Sequence, residues 1–416
     1  MIKEIQPFSY LGSIKSPCSK SYMQRAIAIA CTAEGESKIF GFTKSEDVDV
    51  ALNIAKQLGA EIKLEQNVLF VKGIADHKNG NVAIDCGEAG LSTRMFSAIS
   101  AALFQKVEVN GSRSILARPM DMVIDALTQL GAKVDSNNHR LPLTIEGGLN
   151  SGEIGIDGSE SSQLLTGLLI ALPTLSGESI VNVKNLKSRP YIDMTLEILN
   201  EFGVEIENSE YETFIINGNQ KAKGIEYHCE GDWSGAAFHL VGAAISGSIE
   251  LTGLNSNSSQ ADIEILTTLK LAGANVEVNT DSIKVSKDKL NCFEFDATQC
   301  PDLFPPIAAL SACCDGISTI YGVERLIHKE SNRALTIQTE MAKLGIEVTL
   351  DGNAMHIKGG SVFGNAISSN NDHRIAMMGA VLASVSSQPI TITNSEVISK
   401  SYPSFYLDLP VLKSTE

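Results

Sequence analysis

The 416-residue chain contains no apolar run of 18 residues, so no segment reads as a membrane-spanning helix. Its opening, Met1-Ile2-Lys3-Glu4-Ile5, lacks the apolar stretch of a secretory signal. The eight cysteines (Cys18, Cys31, Cys86, Cys229, Cys292, Cys300, Cys313 and Cys314) form no paired framework and show no zinc-ligand spacing. They read as thiols of a reducing cytoplasm. Positive charge is also scarce: 33 Lys and Arg against 49 Asp and Glu leave a net charge of −16. That balance argues against a nucleic-acid partner, whose phosphates demand a basic face. It leaves room for a small anion, because an acidic protein can hold a local cationic cleft.

What is present is a repeat. Six times the chain runs through a polar cluster, an apolar helix, a strand, a second helix and a hairpin. The second helices end at Gly59, Gly131, Gly203, Gly273 and Gly345, which stand 72, 72, 70 and 72 residues apart. Fixed-period similarity marks a fold assembled from copies of one supersecondary unit. The first helices open at Ser19-Lys20-Ser21, Glu88-Ala89-Gly90, Ser161-Ser162-Gln163, Asp232-Trp233-Ser234, Cys300-Pro301-Asp302 and Asp372-His373-Arg374. Each continues into an Ala/Ile/Leu-rich run that must lie between other layers.

The second helices are predicted to start with proline at the first helical position (Pro119, Pro190) or with a hydroxyl cap (Ser45, Ser259, Ser399). Lys329 and Arg333, four apart, are predicted to share a helical face. The alternation over 276–285 predicts a hairpin turning at Asn279-Thr280-Asp281. Five hairpins follow five second helices, and the segment 2–14 is predicted to supply the missing sixth piece. Two domains result: 1–17 with 230–416, and 18–229.

The helix starts carry the functional signal. A helix N-terminus presents unpaired N–H groups and about half a positive charge, which favours phosphate or carboxylate. In or beside these starts lie Lys20, Arg25, Arg94, Arg118, Arg189, Lys329, Arg333, Arg374 and Lys400. Guanidinium groups grip such anions bidentately and lysine acts as a point charge. Taken singly, Ser19, Ser21, Ser161 and Ser188 read better as ordinary caps. Independent caps, however, have no reason to collect cations at equivalent points of a repeat. A partner or substrate pair carrying several negative charges follows.

The ordered motifs resemble those of the EPSP synthase family. Pro17-Cys18-Ser19-Lys20-Ser21 with Arg25 is similar to the family's opening motif. Arg118-Pro119-Met120, Ser161-Ser162-Gln163, Ser188-Arg189-Pro190-Tyr191, Lys329-Glu330-Ser331-Asn332-Arg333, Asp372-His373-Arg374 and Lys400-Ser401-Tyr402-Pro403 follow in family order. The resemblance implies a two-domain inside-out α/β barrel of six βαβαββ repeats, three per domain. It implies transfer of the enolpyruvyl group of phosphoenolpyruvate to the 5-hydroxyl of shikimate 3-phosphate with release of phosphate, by a cytoplasmic monomer without metal or organic cofactor.

By motif match, Lys20, Ser21, Arg25, Ser161, Ser162, Gln163, Ser188, Asp302 and Lys329 would hold shikimate 3-phosphate. Lys20, Gly90, Arg118, Gln163, Arg333, Arg374 and Lys400 would surround phosphoenolpyruvate. In the chemistry so implied, Asp302 takes the hydroxyl proton with Lys329 beside it, and Glu330, with Lys20, supplies a proton to the methylene carbon.

Two positions depart from the family pattern. Cys18 replaces a common glycine, and Glu88 places a carboxylate that would repel an anion unless a neighbouring arginine pairs with it. The alternative is the related enolpyruvyl transferase acting on UDP-N-acetylglucosamine. That family carries a reactive cysteine five residues before the arginine matching Arg118, where this chain has Arg113. A non-catalytic binder of phosphorylated metabolites would explain the cations but not the acid/base set Asp302, Lys329 and Glu330.

Overall fold

A computed structural model describes residues 1–74, 78–280 and 282–410; the hairpin position Asp281 and the terminal 411–416 of the expected first domain lie outside the described residues. The chain divides into two compact units, Lys20–Cys229 and Met1–Ser19 with Glu230–Glu416. The fold is mixed α/β, with three sheets among the described residues of each unit.

In the unit Lys20–Cys229 every sheet has the same plan. The middle strands Glu36–Phe40, Phe104–Asn110 and Ser179–Lys184 each pair in parallel with one neighbour and antiparallel with a hairpin arm. The second arm of each hairpin completes the sheet. The other unit follows this plan around Ser248–Thr252 and Ile317–Tyr321. There Ser13–Lys15 supplies the parallel neighbour of Ser248–Thr252. In the last sheet Ile390–Thr393 pairs in parallel with Ala366–Ser368, and Ile2–Ile5 takes the antiparallel place of a hairpin arm. The N-terminal segment therefore contributes to two sheets of one unit.

The first helices form the core of each unit. Lys20–Thr32, Gly90–Leu103 and Gln163–Ala171 belong to one, and Trp233–Ser246, Phe304–Ser311 and His373–Leu382 to the other. They are apolar nearly all round, and each fully buried Leu or Ile contributes about 1.5–3 kcal/mol. Hydroxyls inside them turn back on their own backbone: Thr93 donates to Ala89 O at 2.9 Å and Ser97 to Thr93 O at 2.7 Å. Close helix approach requires Gly167, where a Cβ would stand 2.8 Å from Met95 Cα.

The periodic glycines terminate the second helices. Gly59, Gly131, Gly203, Gly273 and Gly345 have φ of 109°, 92°, 81°, 92° and 84°, the left-handed region that a side chain disfavours.

Several predicted starts differ. Ser45 does cap its helix, accepting from Val48 N at 3.4 Å, and Pro190 does begin one. Pro119 instead precedes the helix Asp121–Gln129, because the N–H of Met120 is held outside it by His139 O at 2.8 Å. Gln260, not Ser259, precedes the turn Ala261–Glu264. Ser399 lies within the short turn Ser395–Lys400, and Pro403 prevents that turn from running on as a helix. Lys329 and Arg333 do not share a helical face: Asn332 caps the helix Arg333–Lys343 through Leu335 N, so Lys329 stands before it.

Candidate active site

In the unit Lys20–Cys229, Lys20, Ser21, Gly90, Ser161, Ser162 and Gln163 sit at or beside the starts of the three core helices, and Arg118 and Ser188 just before second helices. Lys20 opens the first, and its Nζ lies 2.8 Å from Asp47 Oδ2, with both side chains largely buried. Arg25, one turn on, is fully buried. Its Nε donates to Thr195 Oγ1 at 2.9 Å, its Nη1 to Ser21 O at 2.9 Å and its Nη2 to Tyr191 O at 3.1 Å. Burial lowers its pKa to about 10. The ring of Tyr191 stacks 5.9 Å from the same guanidinium. Arg25 thus positions Ser21 and Tyr191 as well as supplying charge.

Gly90, Arg94, Arg118 and Gln163 converge. A Cβ on Gly90 would stand 2.8 Å from Arg118 Nη1, 3.4 Å from Arg94 Nη1 and 3.5 Å from Gln163 Oε1. Arg94 Nη1 donates to Gln163 Oε1 at 3.1 Å. Burial, and next the like charge of Arg118, lowers Arg94 to about 10. Two guanidiniums held side by side are relieved by an anion. Ser161 Oγ accepts from Gln163 N at 3.2 Å, and Ser162 and Ser188 are buried nearby in sequence to helix starts. The backbone of Ser188 is left-handed, at φ 58°.

The departure at Glu88 has a partner: Arg113 Nη1 lies 3.8 Å from Glu88 Oε2, and Ser114 N donates to Glu88 Oε1 at 3.0 Å.

In the other unit a second set gathers around Asp302, which sits in the turn Pro301–Leu303 before its core helix. Arg333 Nη1 and Arg374 Nη2 each lie 2.9 Å from this carboxylate, and Lys329 Nζ 3.4 Å. Burial pushes the Asp302 carboxyl up, but Arg374, Lys329 and Arg333 outweigh it and hold the group well below the usual carboxylate range. Burial lowers Lys329 despite Asp302. Glu330 is held by Arg333 Nη2 at 2.6 Å and by Lys400 Nζ at 3.9 Å.

Arg333 organises this cluster. It has no exposed surface and also donates through Nε to Asp372 Oδ2 at 2.8 Å. Asp372 in turn caps the last core helix by accepting from Arg374 N at 3.0 Å. Arg374 Nη1 lies 2.9 Å from His373 Nε2. Asp262, beside this cluster, accepts from Ser234 Oγ; burial, and next Asp302, pushes its carboxyl up to about 7.

Sequence reading gave no site role to Asp47, Asp372 or Asp262, and it counted Arg94 only among the cations. Each acts through a partner far along the chain. The one local signal was the position of Asp47 and Asp372 in polar helix starts. Among the described residues no group of three or more His, Cys, Asp or Glu side chains could hold a metal ion, and no helix is long and apolar enough to cross a membrane.

The family model described as EPSP synthase (3-phosphoshikimate 1-carboxyvinyltransferase) matches residues 5–409. A 3-phosphoshikimate 1-carboxyvinyltransferase of Clostridium novyi is 36% identical over 97% of this chain and 96% of its own. One of Clostridium acetobutylicum is 37% identical over 98% and 96%. A solved EPSP synthase structure from Acinetobacter baumannii superposes with a TM-score of 0.81 at 26% identity, covering 98% of this chain and 97% of the other.

Proposed function

The chain belongs to the EPSP synthase family, and on that premise we propose how its residues divide the work. The reaction is that of a 3-phosphoshikimate 1-carboxyvinyltransferase: the enolpyruvyl group of phosphoenolpyruvate passes to the 5-hydroxyl of shikimate 3-phosphate and phosphate leaves. It is a step of the shikimate pathway to aromatic amino acids. The finer architecture we propose is the inside-out α/β barrel of six βαβαββ repeats, with domains 1–17 plus 230–416 and 18–229, acting as a cytoplasmic monomer.

Lys20, Ser21, Arg25, Ser161, Ser162, Gln163 and Ser188, with Asp302 and Lys329, hold shikimate 3-phosphate. Gly90, Arg118, Gln163, Lys20, Arg333, Arg374 and Lys400 surround phosphoenolpyruvate, and Arg333 also orders the carboxylates beside it. Asp302 accepts the proton of the 5-hydroxyl as that oxygen bonds to the central alkene carbon. Glu330, assisted by Lys20, protonates the methylene carbon. In the resulting tetrahedral adduct the methyl group returns a proton to Glu330, the carbon–carbon double bond re-forms, and phosphate departs with the proton that Asp302 took.

One observation carries this reading: Asp302 and Glu330 share the guanidinium of Arg333, at 2.9 and 2.6 Å. Arg374, Lys329 and Arg333 keep Asp302 ionised but weakly basic. A substrate anion that draws Arg374 and Lys400 to itself loosens both carboxylates and raises the proton affinity of Asp302, which acid/base work requires.

The test is phosphate release from phosphoenolpyruvate with shikimate 3-phosphate, with UDP-N-acetylglucosamine, and with neither. Release with shikimate 3-phosphate alone supports the reading. Release with the nucleotide sugar would assign the related transferase, and no acceptor-dependent release would leave a binding protein.

A further inference from the structure

We propose that Glu88 is a positioning residue for the phosphoenolpyruvate half of the site, tying the helix start that carries Gly90 to the turn that delivers Arg118. The inference rests on the role given above to Gly90 and Arg118.

The two segments are laced together by three successive bonds. Cys86 N donates to Asn110 O at 2.9 Å, and Ser112 N donates to Gly87 O at 2.8 Å. The third rung changes character: Ser114 N donates to a side chain, Glu88 Oε1, at 3.0 Å. The rung falls where main-chain pairing gives out. Arg113 has a left-handed φ of 51°, and the tight turn Arg113–Ala117 begins there. That turn ends on Arg118, whose N–H donates to Ile115 O at 3.1 Å. A carboxylate accepting an early N–H of a helical turn satisfies a donor the turn cannot. A residue 26 positions away supplies that acceptor here.

Glu88 also stands two residues before Gly90, where a Cβ would meet Arg118 Nη1 at 2.8 Å. One side chain therefore fixes the spacing between the glycine and the guanidinium that together frame the anion. Its negative charge would oppose that anion. Arg113 Nη1, 3.8 Å from the second carboxylate oxygen, offsets it. The arginine is 80% exposed, so its contribution is small and screened by salt.

Two readouts test the latch, one of them independent of catalysis. In the substrate-free protein, trypsin can cut the turn after Arg113, while Pro119 protects Arg118. Glu88→Ala speeds cleavage after Arg113 and raises the KM for phosphoenolpyruvate, each on the order of tenfold for one lost hydrogen bond to a charged group. The KM for shikimate 3-phosphate stays within about twofold. Glu88→Gln keeps an acceptor oxygen and recovers most of both losses. Arg113→Ala raises the phosphoenolpyruvate KM about twofold at low salt, and the added substitution Glu88→Gln removes that increment.

An unchanged cleavage rate in Glu88→Ala overturns the latch. So does a rise in both KM values together with a lowered Tm, which is the mark of general loosening. Should the wild-type protein show no turnover, the cleavage rate still decides the latch, and only the functional reading falls.

Discussion

Arg333 and Asp372 form an ion pair with no exposed surface on either side chain, Nε to Oδ2 at 2.8 Å. The pair joins the helix that begins at Arg333 to the one that begins at His373. Asp372 spends its other oxygen on Arg374 N. Asp372→Ala would leave a guanidinium buried beside an empty space and uncap a core helix. Removing one partner of such a pair costs about 3–5 kcal/mol. Urea unfolding checks this; a loss below about 1 kcal/mol would mean that Asp302 and Glu330 alone satisfy Arg333.

Asp302→Ala separates binding from chemistry. The variant leaves Arg374 and Lys329 free of a competing carboxylate, so phosphoenolpyruvate binds at least as well as before, while shikimate 3-phosphate, which loses one contact, keeps its binding far better than its turnover. Turnover falls by roughly 10²–10⁴-fold, the range for a positioned proton-transfer group. Calorimetry and steady-state rates on the same variant decide it, and near-normal turnover excludes Asp302 as the base.

Gly90→Ala places a methyl group 2.8 Å from Arg118 Nη1. The clash falls on the tip of a flexible side chain, so the arginine gives way at little cost to folding but its guanidinium is displaced. The KM for phosphoenolpyruvate rises on the order of tenfold, as for other small misplacements of a binding group, while the KM for shikimate 3-phosphate changes little. Equal rises in both would remove Gly90 from the enolpyruvate side.

His239 gives the fold an acid-sensitive point. The ring is fully buried, with Tyr10 Oη 3.5 Å from Nδ1 and Phe405 tilted against it at 4.8 Å between centroids. Burial lowers its pKa to about 3. A depressed pKa means that the folded state excludes a proton the unfolded chain accepts. This stability is present above about pH 6.5 and is lost as pH falls toward 3. Between pH 7 and 4.5 the wild type should lose about 2–3 kcal/mol more than His239→Leu. Identical acid profiles in urea titrations would contradict this.

The sequence showed the repeat because its signals are local. A helix that ends in a left-handed residue needs glycine, and Gly59, Gly131, Gly203, Gly273 and Gly345 all meet that need. The cations at the core-helix starts were legible for the same reason. Their partners were not. Lys20 with Asp47, Arg94 with Gln163 and Arg333 with Asp372 lie 27, 69 and 39 residues apart, and only tertiary packing brings them together. Local rules also failed where the backbone had another bond to make. Pro119 looked like a first helical residue, but Met120 N binds His139 O and delays the helix. Lys329 and Arg333 meet at Asp302 without sharing a helix. Glu88 looked unfavourable in sequence because neither its bond to Ser114 nor its pairing with Arg113 could be read from spacing.

Deuterium tracing tests the central claim that the alkene is protonated and then deprotonated by this site's carboxylates. In D2O with both substrates, the account predicts deuterium in the vinyl group of the product, and in recovered phosphoenolpyruvate only when shikimate 3-phosphate is present. Glu330→Gln should suppress the label. A fully protiated vinyl group in product formed by the wild-type protein would contradict the account.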